Sequence, residues 1–245
     1  MSKKHKVNIL AIGVHPDDVE LSASGTIAKH IEKGYTVAIL DLTKGELGSR
    51  GSAQLRAKEA DNAAKILGVE ARMQVGLEDG FFANDAASWM KIVPYLRFFQ
   101  PDIVLANAPK DRHPDHGRAA ELVRDACFYS GLLRIESSWE GEIQSHWRPS
   151  ALYHYIQDDY LCPDFVMDIS AYMDIKKSAI LAFSSQFFNP EASEAAEAET
   201  PISKKNFLDS IFGKNAVFGR SIGVDFAEGF ICGRIPGIDD LYDLK

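Results

Sequence analysis

The chain has 245 residues, 46% of them hydrophobic and 25% charged, proportions that suit one ordinary globular domain with a sizeable buried core. A formal net charge of −8 and a pI near 5.4 leave no surplus of Lys and Arg to neutralise phosphates. A general affinity for nucleic acid or an anionic membrane is therefore not expected, and a small-molecule partner is.

The first residues, MSKKHKVNILAIGV, begin basic and turn apolar, but they run into HPDD without a small-residue cleavage site and so read as a first strand over 7–14 rather than a leader. The near-continuous apolar character predicts a strand covered on both faces. Leu21, Ile27, Ala28 and Ile31 recur at helical spacing, predicting a helix over 19–33 that Gly34 stops. A second strand is predicted over 36–42 (TVAILDL), then a glycine-rich polar loop over 43–52 (TKGELGSRGS), then a helix over 53–67 ahead of Gly68. A strand over 72–75, a helix over 88–99 and a strand over 103–107 continue the alternation. This βαβα order is that of an α/β protein with a doubly wound, mostly parallel sheet and helices on both faces.

From residue 151 the regularity weakens. ALYHYI, DFVMDI and GFICGR read as strands and 171–183 as a helix, while 189–205 (NPEASEAAEAETPISKK) is acidic and poor in large apolar groups, which predicts a mobile excursion. With no internal repeat and no linker, 1–245 is expected to form a single domain with a less regular C-terminal part from about 150. No apolar stretch approaches the ~20 residues needed to cross a bilayer, so a soluble, cytoplasmic protein is expected. Cys127, Cys162 and Cys232 form neither a CxxC pair nor an even framework and are expected to be buried, reduced thiols.

Two clusters carry chemistry. His15-Pro16-Asp17-Asp18 follows the first predicted strand and precedes a helix, the place where ligands bind in open α/β sheets. An imidazole and two carboxylates in four residues offer ligands to zinc, with one acid to spare for proton transfer. The same aspartates would equally serve to cap the helix. Asp111-Arg112-His113-Pro114-Asp115-His116 also follows a predicted strand and precedes a helix expected over 117–129. Two histidine–carboxylate clusters at the carboxyl ends of strands of one sheet can converge on a single crevice. Together they supply the three protein ligands that a catalytic zinc commonly takes, and residues besides.

On these motifs, together with the loop 43–52, the helix bearing Arg56, and FGRSIGVDFAEGF near the end, the chain resembles the LmbE-like or PIG-L-type N-acetylglucosaminyl deacetylases over most of its length. Within that family it is most similar to the branch that deacetylates N-acetylglucosaminyl malate in bacillithiol synthesis. The resemblance implies a Rossmann-like fold and one zinc ion per subunit bound by His15, Asp18 and His116, although another divalent ion would also suit these ligands. It further implies Asp17 as general base, and His113 as the charged or proton-donating group beside the acyl oxygen. A contact of that class is typically worth ~3 kcal/mol. Asp115 would orient a histidine. Arg56 would lie near the sugar and its aglycone, unless it is merely a solvated helix charge. Arg148 is a candidate to grip an acidic aglycone, and Glu46 to bond sugar hydroxyls. A homo-oligomer, by resemblance a hexamer, is implied as well. The glycines at 45, 48 and 51 do not form a dinucleotide fingerprint, so no nucleotide cofactor is expected. His5 and His30 are expected at the surface, and His146 and His154 in structural roles. Two other functions fit the same residues: deacetylation of a different N-acetylated amino sugar or acylated metabolite, and non-catalytic binding of a sugar or nucleotide.

Overall fold

The computed structural model describes residues 5–188 and 198–243. The chain runs β1 (Ile9–Gly13), α1 (Asp18–Glu32), β2 (Val37–Asp41), α2 (Ala53–Leu67), β3 (Ala71–Gln74), α3 (Ala86–Phe99), β4 (Ile103–Ala106) and α4 (Pro114–Ser130). It continues through β5 (Ser138–Trp139), β6 (Glu142–Ile143), β7 (Ala151–Tyr155), β8 (Phe165–Asp168), α5 (Met173–Leu181), α6 (Phe207–Ser221) and β9 (Ala227–Cys232). The seven-stranded sheet has the order β3-β2-β1-β4-β7-β9-β8. Its first five strands are mutually parallel, and β9 runs antiparallel to both of its neighbours.

The alternation of side chains along β1 builds two cores. Leu10 and Ile12 face one way, onto Ile92 and Leu96 of α3 and Leu122 and Val123 of α4. Ile9 and Ala11 face the other way, onto Val19, Ala23 and Ile27 of α1 and Ala179 of α5. Every residue of β1 and β2 is buried, which is why both read as continuous apolar runs. The chain order reverses between β1 and β4, which pair directly, Ile9 with Ile103 and Ala11 with Leu105. That reversal opens a crevice beyond the carboxyl ends of these two strands, where both histidine clusters emerge.

Helix α1 is fastened by its neighbours α5 and β9. The fully buried pair Lys176–Glu228 (2.7 Å) reaches it, with Lys176 Nζ donating to Leu21 O and Glu228 accepting from the backbone of Gly25 and Thr26. A Cβ on Gly25 would stand 2.8 Å from Ile169 Cβ, so a side chain there would push the helix off its bed.

The C-terminal half differs from expectation in three ways. Helix α6 and the hairpin of β5 and β6 occupy stretches with no predicted element. Of the three free cysteines, only Cys127 is buried, whereas Cys162 is exposed and Cys232 half-buried. The expected excursion over 189–205 lies in large part outside the described residues, and in its described remainder Thr200 and Ser203 cap one turn reciprocally. Among the described residues no helix is long and apolar enough to cross a membrane.

Candidate active site

The site is assembled by the ends of β1 and β4. Asp17 occupies the N-cap position of α1 but makes no side-chain capping bond, so the helix-cap reading of HPDD fails. Its backbone instead adopts φ 123°, a conformation that costs a non-glycine residue about 1–3 kcal/mol and persists only where surrounding contacts enforce it. Arg56 supplies those contacts. Its Nη2 donates to Pro16 O (2.6 Å) and to Asp17 Oδ2 (3.1 Å), and its Nη1 to Gly45 O (3.3 Å).

Asp18 turns inward. Its carboxylate accepts from the His15 backbone N–H (2.8 Å), Asn107 Nδ2 (2.9 Å) and Gln157 Nε2 (2.9 Å). Burial opposes its charge, but the nearby His116 and His15 prevail and hold the carboxyl well below the usual range. Asp17 goes the other way: burial pushes it up to about 7, against the pull of Arg56, with the charge of Asp18 adding to the rise.

The imidazoles are aimed by carboxylates behind them. His116 Nδ1 bonds Asp111 Oδ2 at 2.5 Å, and Asp111 in turn accepts from the Asp159 backbone N–H at 2.7 Å. This places His116 Nε2 toward Asp18 Oδ1, 3.3 Å away. His15 Nε2 bonds Asp79 Oδ1 at 3.0 Å with Asp115 Oδ2 at 3.8 Å, which leaves His15 Nδ1 facing Asp18 Oδ2 at 3.8 Å. Burial works against protonation of both rings, yet the surrounding carboxylates raise His15 to about 10 and His116 to about 9. The field that retains those protons is the field a divalent cation would meet.

The donor set suits a divalent metal ion, for which zinc gives the scale. Ligand atoms arranged tetrahedrally at ~2.1 Å from the ion stand about 3.4 Å apart, which the separations of 3.3 and 3.8 Å from Asp18 approach. A carboxylate behind each metal-binding histidine, fixing its tautomer, is the usual support of such sites. The ring nitrogens of His15, His113 and His116 come within 4.8 Å of one another, as do ligand atoms of His15, Asp79 and Asp115, whereas His15 and His116 approach Asp18 through its two different oxygens. The trio containing Asp18 is the one that adds a buried anion to two oriented imidazoles.

His113 caps α4: its Nδ1 accepts from the Asp115 backbone N–H at 3.3 Å. Burial, followed by the neighbouring His15 and His116, lowers its affinity for a proton. With Nδ1 accepting, His113 can offer an Nε2–H donor, the proton-donating one of the two roles expected of it. Asp115 is placed to orient His15 while itself held by Gly80 N (3.0 Å) and Arg118 Nη1 (2.9 Å).

The three residues expected at the substrate sort differently. Arg56 lines the cavity but is 5% exposed and committed to Asp17 and the loop, so it is neither a solvated charge nor a free substrate clamp. Glu46 is spent on the backbone N–H groups of Lys44 and Asp79, tying the loop down. Arg148 lies at the other end of the sheet, bonded to Phe128 O, and does not line the crevice. Asp79, Asn107, Asp111 and Gln157 are functional neighbours that motif reading missed. Of these only Asp111 had a signal, its place at the head of the second cluster. His154 is structural, its Nδ1 on Asn107 O.

All of this opens into a cavity of about 460 Å³. Its floor is polar, its far wall is Leu21, Ile202, Phe207 and Ile211, and the guanidinium groups of Arg50, Arg112 and Arg118 also line it.

Comparison with known proteins shows the family. The family model for PIG-L, GlcNAc-PI de-N-acetylase, matches residues 10–127. A diacetylchitobiose deacetylase of Thermococcus kodakarensis is 30% identical over 190 residues, 73% of this chain and 70% of that one. A conserved protein of Thermus thermophilus superposes with a TM-score of 0.83 at 32% identity, covering 96% of this chain and 98% of that one. An N,N'-diacetylchitobiose deacetylase of Pyrococcus horikoshii does so at 0.76 and 25% identity, covering 100% and 89%. The chain therefore belongs to the PIG-L family of de-N-acetylases and is a hydrolase of amide bonds.

Proposed function

We propose that this protein is a cytoplasmic, zinc-dependent deacetylase of a glucosaminide, with N-acetyl-α-D-glucosaminyl L-malate as substrate and glucosaminyl malate and acetate as products. The observation that carries the reading is the pair of imidazoles, each held from behind by a carboxylate, that face Asp18 from beyond the ends of two adjacent strands. His15, Asp18 and His116 would hold a zinc ion, which when bound would supply Lewis acidity toward water and toward the amide carbonyl.

The chain's own groups do the rest. Asp17, braced by Arg56 and not among the ligands, accepts the proton of the attacking water. His113 donates its Nε2–H to the acyl oxygen as negative charge gathers there. Asp17 then returns the proton to the leaving amine, so that the amide C–N bond breaks as acetate and a free amine form. An acidic aglycone is supported by Arg112, which lines the same cavity with its side chain 46% exposed and can pair with a carboxylate. Arg112, half-exposed and bonded to Asp158, takes the role that sequence alone gave to Arg148.

Acetate release from a substrate panel tests the proposal. The malate conjugate should be turned over faster than N-acetylglucosamine or diacetylchitobiose, and Arg112→Ala should lose that preference. Asp17→Asn should bind zinc and fall in turnover by about 10²–10⁴-fold. Equal rates across the panel would refute the acidic aglycone, and wild-type turnover in Asp17→Asn would refute the assigned base.

A further inference from the structure

Lys214 is a cation that the steps above leave unused. It stands on α6, whose Phe207 and Ile211 line the catalytic cavity and whose Phe218 packs with Ile156 and Leu161. Positions 207, 211, 214 and 218 recur at helical spacing, so one face of α6 serves both the cavity and the chain that follows β7.

Between β7 and β8 that chain forms neither helix nor strand, yet residues 157–159 support three groups of the site. Gln157 Nε2 donates to Asp18 Oδ1 at 2.9 Å. The backbone N–H of Asp159 donates to Asp111 Oδ1 (2.7 Å) and that of Asp158 to Asp111 Oδ2 (3.4 Å), and Asp111 in turn aims His116. The Asp158 carboxylate accepts from Arg112 Nε. Lys214 Nζ donates to the carbonyl oxygen of Asp158 at 3.3 Å, and among the described residues no other donor reaches that oxygen.

The carbonyl that Lys214 holds and the N–H that holds Asp111 belong to one peptide unit. In a planar trans peptide these two groups point in opposite directions, so fixing the oxygen of Asp158 fixes the direction of the Asp159 N–H. A cation at the oxygen also polarises the unit and strengthens its N–H as a donor. Burial draws the Lys214 ammonium down to about 8, against the opposite effect of Asp111, Asp158 and Asp159, so the group is still charged at neutral pH. There it offsets the mutual repulsion of those three carboxylates.

We infer that Lys214 is a positioning residue of the metal centre: through the Asp158–Asp159 peptide it fixes the N–H that holds Asp111, and so the direction in which His116 faces the ion. The inference rests on the metal centre of the proposed function.

Zinc affinity of the full chain at pH 7, read by competition with a chromophoric chelator, tests it. Lys214→Met should keep the parent's circular dichroism and lose about tenfold in affinity, the low end of what support behind a ligand histidine contributes. Lys214→Arg, which keeps a charged donor, should lose less. Because the effect passes through one carboxylate, Asp111→Asn/Lys214→Met should bind zinc as Asp111→Asn does, whereas a merely structural lysine would give losses that add. Should Lys214→Met fail to fold, Lys214→Gln, one bond too short to reach Asp158 O and without charge, takes its place with the same expectation. Parent affinity in the folded variant, or additive losses in the double variant, would overturn the inference alone. A parent chain that takes up no zinc would overturn the metal centre of the proposed function, and this inference with it.

Discussion

Replacing Asp111 by Asn separates a metal centre from a mere hydrogen-bonded cluster. The Asp111 carboxylate is fully buried, 2.5 Å from His116 Nδ1, and is fixed by the Asp159 N–H at 2.7 Å. Asn preserves the volume and an acceptor oxygen but removes the charge, and its amide can donate to His116 Nδ1. That reverses the tautomer and turns a proton rather than a lone pair toward Asp18. Loss of such a supporting carboxylate typically costs 10–100-fold in metal affinity, about 1.4–2.8 kcal/mol. Competition with a chromophoric chelator near neutral pH reads this directly, with circular dichroism confirming the fold. Asp79→Asn should cost less, because Asp115 stands 3.8 Å from the same His15 nitrogen and supplies a replacement acceptor. Unchanged zinc affinity in folded Asp111→Asn would refute the argument that this carboxylate aims His116 at an ion.

Two further substitutions test the supports of the site. Gly45 has φ 62°, and a Cβ there would stand 1.9 Å from Arg56 Nη1. Gly45→Ala should therefore displace Arg56, release Asp17 and lower turnover while zinc affinity holds, at a stability cost of about 1–3 kcal/mol; wild-type turnover with an unchanged melting temperature would contradict the bracing role. Lys176→Met leaves Glu228 buried without its cation and should cost about 3–5 kcal/mol in denaturant unfolding. Lys176→Met/Glu228→Gln should cost less than that single change, and a double variant worse than the single one would contradict the account of the buried pair.

The sequence conveyed the sheet and the inner metal-binding groups better than their surroundings, for physical reasons. Parallel strands buried on both faces leave apolar runs, so 7–14, 36–42 and 103–107 each contain an observed strand. His15, Asp18 and His116 could be placed in one crevice because β1 and β4 adjoin at the reversal of strand order. Helix α6 stayed hidden because it carries Gly213 and Gly219, which read as loop residues. A Cβ on Gly219 would come within 2.7 Å of the backbone at Val224 and Phe226, so there the glycine permits a close return of the chain. Asp79, Asn107 and Gln157 belong to no local motif, and their roles arise only when loops from separate strands meet around Asp18 and His15. Arg148 shows the converse limit: residue type suggested a carboxylate clamp, while tertiary packing carried it to the far end of the sheet.

The most direct test of the central claim is acetate release from an N-acetylglucosaminide by chelator-treated enzyme, before and after one equivalent of zinc is restored. The account predicts no release from the metal-free protein and full recovery at one ion per chain. Turnover that survives complete removal of metal, or that fails to return with zinc or another divalent ion, would contradict it.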